Sequence, residues 1–302
     1  MSKNLVRKLF ILFALSIAVF GLAACGNKDD NASSSKESSS SKDKKDGGDS
    51  ASSIEEIKKR GKVRIAVFSD KPPFGFVDKN GANQGYDVVL GKRIAKDLLG
   101  DESKVEFVLT EAQNRVDVLK SNKVDIVLAN FTVTPERSEQ VDFANPYMKV
   151  AIGVASPKSD PITSVDQLKD KKLIVNKGTT AETYFHEKEP DVEQVKFDQN
   201  TEAFEALKDK RGAALAHDNT LLYAWVKNNP DYTVGIKSVG DLDYIAPAVK
   251  KGNKELLDWL NEELETLGKE KFFHQAFDET LKSAFSDDIK PDDVVVEGVK
   301  EK

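Results

Sequence analysis

The 302-residue chain has one cysteine and three histidines, and it lacks the short motifs that mark common enzyme chemistry. There is no G-x-x-x-x-G-K-[ST] phosphate loop, no H-E-x-x-H, no G-x-S-x-G elbow and no G-x-G-x-x-G turn. A single thiol, Cys25, cannot close an intrachain disulfide, and used as an anchor it leaves none for a metal cluster or a nucleophile. His186, His217 and His274 are scattered without metal-ligand spacing, so no metal and no cofactor is expected. His186 and His274 fall in helical patterns as surface or packing residues. Lys and Arg number 45 against 51 Asp and Glu, well mixed, for a net charge of −6. An acidic, interspersed surface argues against nucleic-acid binding.

What is present begins with an address. Lys3, Arg7 and Lys8 precede the apolar run 9–24, "LFILFALSIAVFGLAA", short for a membrane span and laid out as a signal peptide over 1–24. Its end, "LAAC", resembles a bacterial lipobox, which implies cleavage before Cys25 and lipid on its sulfur. A signal anchor with an incidental cysteine is the alternative. Loss of 1–24 takes the net charge to about −9. Residues 26–53, "GNKDDNASSSKESSSSKDKKDGGDSASS", carry no aliphatic side chain larger than alanine and no aromatic. Such a stretch cannot bury enough surface to offset chain entropy, so 25–53 reads as a disordered tether with a span of roughly 30 Å.

From about 54 to 285 the pattern alternates. Strand-like runs at 62–69, 104–111, 123–130 and 151–157 are separated by amphipathic helices at 85–100 and 115–122. The alternation restarts with strands at 171–178, 192–197 and 212–218, helices at 180–188, 200–211 and 219–229, a final strand near 244–253 and one long helix over 254–281. Strands alternating with helices mean parallel α/β units, and two sets in about 230 residues suggest two α/β lobes. The tail 286–302 is acidic with one apolar patch and is expected to lie across the surface.

Three turns share one chemistry: a strand ends in polar residues that open a helix. In "LANFTVTPERSEQ" Thr134 is an N-cap and Pro135 a first helical residue, which puts Arg137 where the helix dipole disfavours a cation. In "NKGTTAETYF" Thr179 caps, and Glu182 three residues on completes a capping box. In "AHDN" Asp218 ends a strand and can cap the next helix. Ligands of open α/β sheets bind beyond the carboxyl ends of strands, and helix starts there attract anions. A ligand carboxylate would make Arg137 a paired residue, its planar fork holding both oxygens with Thr132 and backbone amides assisting. The alternative is a surface arginine paired with Glu136 or Asp142. Asp218 would suit an α-ammonium, or serve only as a cap. "SDKPPFGFVD" adds aromatic walls, Phe68, Phe74 and Phe76, of which the core claims at least one.

These residues resemble a known family. "RIAVFSDKPPFGFVDKNGANQGYDV", "KVDIVLANFTVTPERSEQVDFANPYM", "KGTTAETYF" and "AHDN" are similar to the polar amino-acid solute-binding proteins of ABC importers, bacterial extracellular solute-binding protein family 3. Within it, "EAQNRVDVLKSNKVDI" and "GIKSVGDLDYIAPAVKKGNKELLDWL" resemble the cysteine-binding lipoproteins. The resemblance implies a type II periplasmic-binding-protein fold, α/β, with a ligand cleft between lobes joined by crossover strands near 149–155 and 244–248. Lobe 1 would be 54–149 plus 247–285, and lobe 2 150–246. It implies that Arg137 grips the ligand carboxylate with Thr132, Gly178, Thr179 and Thr180, that Asn130 hydrogen-bonds the ligand, and that Asp218 takes its ammonium. Phe68 stands where many members have an acidic residue, which shifts that role to Asp218. Arg115, Phe74 and His217 complete the expected set, Arg115 acting directly or through water. Expected partners are a free amino acid, ABC permease subunits, and the bilayer through a lipidated Cys25 on the extracytoplasmic face; the chain is expected to be monomeric. Cysteine leads, with cystine, glutamine, aspartate and glutamate open. Dehydratases of the same fold, with Asp218 and His217 as their acid, and a surface adhesin are the rival functions.

Overall fold

In a computed structural model, residues 51–299 are described; the expected signal peptide, Cys25 and most of the tether lie outside them, as do 300–302. The first part of the chain runs α1 (Ile54–Arg60), β1 (Val63–Val67), a small hairpin sheet of β2 (Asp70–Lys71), β3 (Gly75–Val77) and β4 (Asn83–Gln84), then α2 (Tyr86–Leu99) and β5 (Val105–Leu109). It continues through α3 (Arg115–Lys120), β6 (Ile126–Val127), α4 (Pro135–Gln140) and β7 (Val141–Phe143). The middle part holds β8 (Met148–Pro157), β9 (Lys172–Asn176), α5 (Thr180–Lys188), β10 (Glu193–Phe197), α6 (Asn200–Lys208), β11 (Ala214–Asp218), α7 (Asn219–Asn228) and β12 (Tyr232–Ile245). The last part is β13 (Ala248–Lys250), α8 (Lys254–Lys269) and α9 (Phe272–Thr280).

Two five-stranded sheets result, in the orders β5-β1-β6-β13-β7 and β10-β9-β11-β8-β12. Apolar strands such as β1 are buried on both faces because parallel pairing places helices above and below them. On α2, Val88, Ile94, Ala95 and Leu98 form the buried stripe, and the helix stops at Gly100, whose left-handed φ of 81° lets its N–H bond Lys96 O at 2.7 Å. Long antiparallel strands β8 and β12 run side by side out of the second sheet to the edge of the first. There Met148 pairs with Ile245, and Ile245 bridges Thr132. Both lobes thus share two strands, a two-lobed α/β fold.

Two expectations change. The helix over 254–281 is broken, because Lys271 takes a left-handed φ of 58° between α8 and α9. The apolar period continues across the break, so periodicity alone could not reveal it. The tail does not merely cover the surface: Val294, Val295 and Val296 are buried, Lys149 N donates to Val294 O (2.8 Å), and Val296 N donates to Tyr147 O (3.1 Å). It thereby pairs with the start of β8, and His274 on α9 meets Asp292 (3.0 Å) and Glu297 through its two ring nitrogens. Among the described residues no helix is long and apolar enough to cross a membrane.

Candidate ligand-binding cleft

The carboxyl ends of β1, β6, β9 and β11 face one another across the two halves, and loops there carry the candidate residues. After β6, Ala129 (φ 35°) and Asn130 (φ 45°) both adopt left-handed backbone, a costly conformation for side chains with a Cβ. Asn130 N donates to Asp87 Oδ2 at 2.7 Å, and Arg115 Nη1 donates to the carbonyls of Ala129 and Asn130, both at 3.2 Å. Arg115 therefore holds the strained loop from beneath. Thr134 caps α4 as expected, accepting Arg137 N at 3.3 Å, with Pro135 as the first helical residue.

Arg137 pairs with neither Glu136 nor Asp142, and Asp142 is taken by Lys251 Nζ (2.7 Å). Its guanidinium turns back instead: Nη1 donates to Thr132 O (2.7 Å) and Nη2 to Gly178 O (2.9 Å). Arg115 Nη2 donates to the same Gly178 carbonyl at 2.8 Å. Two guanidinium groups of the first half converge on one carbonyl of the second, and the Phe131 ring lies 4.4 Å from Arg115 Cζ and 4.9 Å from Arg137 Cζ. Phe131 was not singled out in the sequence, where it follows the strand-like run 123–130 and precedes the polar turn that drew attention. Burial lowers both pKa values, Arg137 to about 10, and Arg115 is also pushed down by the charge of Arg137. Both stay protonated at neutral pH, and three N–H groups of Arg137 have no acceptor among the described residues. An anion placed here would relieve two crowded cations at once.

Gly178 fits because it has no side chain. Its φ is +73°, and a Cβ there would lie 2.5 Å from Gln113 Cα. The expected capping box is displaced by one residue: Thr179 Oγ1 accepts Glu182 N (3.2 Å), but Glu182 Oε2 reaches back to Gly178 N (2.6 Å). That leaves Thr180 and Ala181, the first residues of α5, with N–H groups that have no intrahelical acceptor.

Asp218 does not cap α7 through its side chain. Its Oδ2 accepts Lys71 Nζ at 2.6 Å, and Lys71 also donates to Asn130 Oδ1 at 2.6 Å, so one ammonium ties the two halves. Burial raises the Asp218 carboxyl, but Lys71, then His217, outweigh it and hold the pKa at about 2. Burial, then the Lys71 charge, push His217 down to about 3, so it is neutral, and its Nδ1 accepts Asp218 N (2.7 Å). Phe68 and Phe74 are buried, their ring centroids 5.3 and 5.8 Å from Lys71 Nζ. Lys71 was missed in the sequence: "SDKPPFGF" was read for its rings, although strand alternation sends Lys71 and Asp70 to opposite sides. Asn176, at the end of β9, was missed as well. Its amide is buried with no partner on either atom among the described residues. Polar atoms orphaned in this way at a strand end mark space for a polar occupant or water.

Further contacts close the cleft. Asp70 accepts Asn200 Nδ2 (2.9 Å) and Thr201 N (3.2 Å), capping α6 from the opposite half where Gln199 supplies no side-chain cap. Gln113 Nε2 donates to Asp198 Oδ1 at 2.9 Å.

Asp87 supports the strained loop and leads to a pH prediction. Burial raises its pKa to about 6 despite hydrogen bonds from Tyr147 Oη (2.7 Å) and Asn130 N. A raised carboxyl favours the folded state when protonated, so its contribution is full below about 4 and is lost as pH climbs through about 6. The ionised form then costs on the order of 3 kcal/mol. Asp218, with its pKa held down, acts oppositely, losing stability only below about 4. Thermal melts of wild type and Asp87→Asn should therefore diverge between about pH 4 and 6, the wild type losing more stability as pH rises through Asp87. Parallel curves would remove this assignment.

The fold and cleft define a two-lobed α/β protein whose halves meet at a polar, charge-lined cleft. The match to the bacterial extracellular solute-binding proteins, family 3, covers residues 63–281, and the chain belongs to this family. It is similar to the structure of a cysteine-binding protein from Campylobacter jejuni, with 64% identity, a TM-score of 0.80, and coverage of 81% of this chain and 98% of that one. The solute receptor for L-cysteine of Neisseria gonorrhoeae is 56% identical, with a TM-score of 0.80 over 82% of this chain and 100% of that one. The ABC transporter glutamine-binding protein GlnH of Bacillus subtilis is 34% identical over 92% of this chain and 98% of its own length. These relatives are binding proteins, and the chain is a solute-binding protein rather than an enzyme.

Proposed function

We propose that the protein captures free cysteine outside the cytoplasm and delivers it to an ABC permease, held at the membrane by lipid on Cys25. The convergence of Arg115 and Arg137 on Gly178 O, with unspent N–H groups across from Asp218, carries this reading. An α-amino acid has one anionic and one cationic end, and the cleft offers each a partner. Arg137 grips the carboxylate with Thr132 and the α5 start at Thr179 and Thr180. Asn130 hydrogen-bonds the ligand, Asp218 receives its ammonium, and Arg115 braces the loop and reaches the ligand directly or through water. Lobes of 54–149 plus 247–285 and of 150–246 close around the ligand, whose preference for the closed state shifts the population. Cysteine is favoured by the identity of 64% and 56% to the two proteins named for it.

A thermal-shift panel of the twenty amino acids and cystine, under reducing and oxidising conditions, tests this. At 1,000 times Kd the true ligand raises the unfolding midpoint by roughly 8–16 °C. A larger response to glutamine or cystine would replace cysteine, and no response to any amino acid would remove the reading.

A further inference from the structure

We infer that Lys71 sets the side-chain preference of the cleft, donating one N–H to an acceptor atom on the ligand side chain and excluding cationic side chains. The inference rests on the amino-acid reading above and deepens it. An ammonium has three donors. On Lys71 two of them reach Asn130 Oδ1 and Asp218 Oδ2, and no acceptor for the third exists among the described residues. The group is 1% exposed, so water does not freely serve it. Its surroundings are the Phe68 and Phe74 rings, Arg115, and the carboxylates of Asp218 and Asp87. A spare donor in such a place calls for a neutral or anionic acceptor: a thiol or thiolate, a hydroxyl, or a carboxyl oxygen.

The same pairing decides against cations. Asp218 faces Lys71 across the halves, and its charge is already matched before any ligand arrives. An α-ammonium can share the second carboxylate oxygen, but a second positive group on the ligand placed at this end of the cleft would meet the cations Lys71 and Arg115. Removing the Lys71 charge frees Asp218 to serve a cationic side chain, and the preference should move in that direction.

Calorimetric titration of the full chain with cysteine, serine and arginine, for wild type, Lys71→Met and Lys71→Arg, tests this. The wild type should favour cysteine. In Lys71→Met the ratio of the arginine Kd to the cysteine Kd should fall by about 100-fold, as expected for removing one charge about 6 Å from another at a partly screened site. Lys71→Arg should keep the wild-type ratio. If Lys71→Met does not fold, Lys71→Gln provides the same reading. A folded neutral variant whose ratio is unchanged, while the wild type still binds cysteine, overturns this inference alone. A wild type that binds none of the three overturns the amino-acid reading and this inference with it.

Discussion

Replacement of Arg137 by alanine should raise the ligand Kd by roughly 150- to 5,000-fold. The residue lies at the start of α4, where the helix field works against it, yet it is turned toward Thr132 O and Gly178 O rather than solvent. A ligand carboxylate beside it would be buried on closure, and removing one partner of a buried ion pair costs about 3–5 kcal/mol. Arg115 would remain, but its Nε and Nη1 donors are committed to the carbonyls of Ala112, Ala129 and Asn130. It cannot take over without releasing the strained loop. Arg137→Lys should recover only part of the loss, because a point charge does not reproduce a two-pronged donor. Calorimetry with the best amino acid, alongside circular dichroism to establish folding, reads the effect. Unchanged affinity in a folded Arg137→Ala protein would dismiss the site.

Gly178→Val should prevent closure and weaken binding by a comparable factor. Its Cβ would enter the backbone of Gln113 on the opposite half, 2.5 Å from Cα and 2.6 Å from N. Backbone cannot rotate away as a side-chain end can, so the halves must stay apart. If closure is made about 3 kcal/mol less favourable, the closed state is populated about 150-fold less and apparent affinity falls in proportion. A control separates this from backbone strain. Gly61 has the same left-handed φ, 74°, but nothing within 4 Å of its would-be Cβ. Gly61→Val should lower the melting temperature and leave affinity intact. Small-angle scattering with and without ligand completes the test: the wild type contracts and Gly178→Val does not. Contraction in both would mean that the close approach at Gly178 has no part in closure.

Much of this architecture was legible in the chain, because parallel strands and amphipathic helices announce themselves by local period. The helix starts at Thr134 and Thr179 followed from cap chemistry, and so did the odd placement of Arg137. What escaped was non-local or too short. Lys71 and Asp218 are 147 residues apart, and nothing near either one names the other. Strands β2 to β4 have two or three residues each, fewer than a period needs to show. Strand β12 interrupts its alternation with three register shifts and two glycines, so residues 232–243 read as loop until they pair with β8. Asp218 illustrates the limit differently: sequence offered two roles, cap or ammonium partner, and the structure adds a third, a resident lysine.

The Asp70 contact has a consequence for what "folded" means here. The first turn of α6 is finished by a carboxylate that belongs to the other half of the molecule. In the proposed cycle, parting of the halves would strip that turn of its acceptor and hand the Thr201 amide to solvent. Secondary structure and solute binding would thus be linked at this spot, and the helix end would register whether the halves are together.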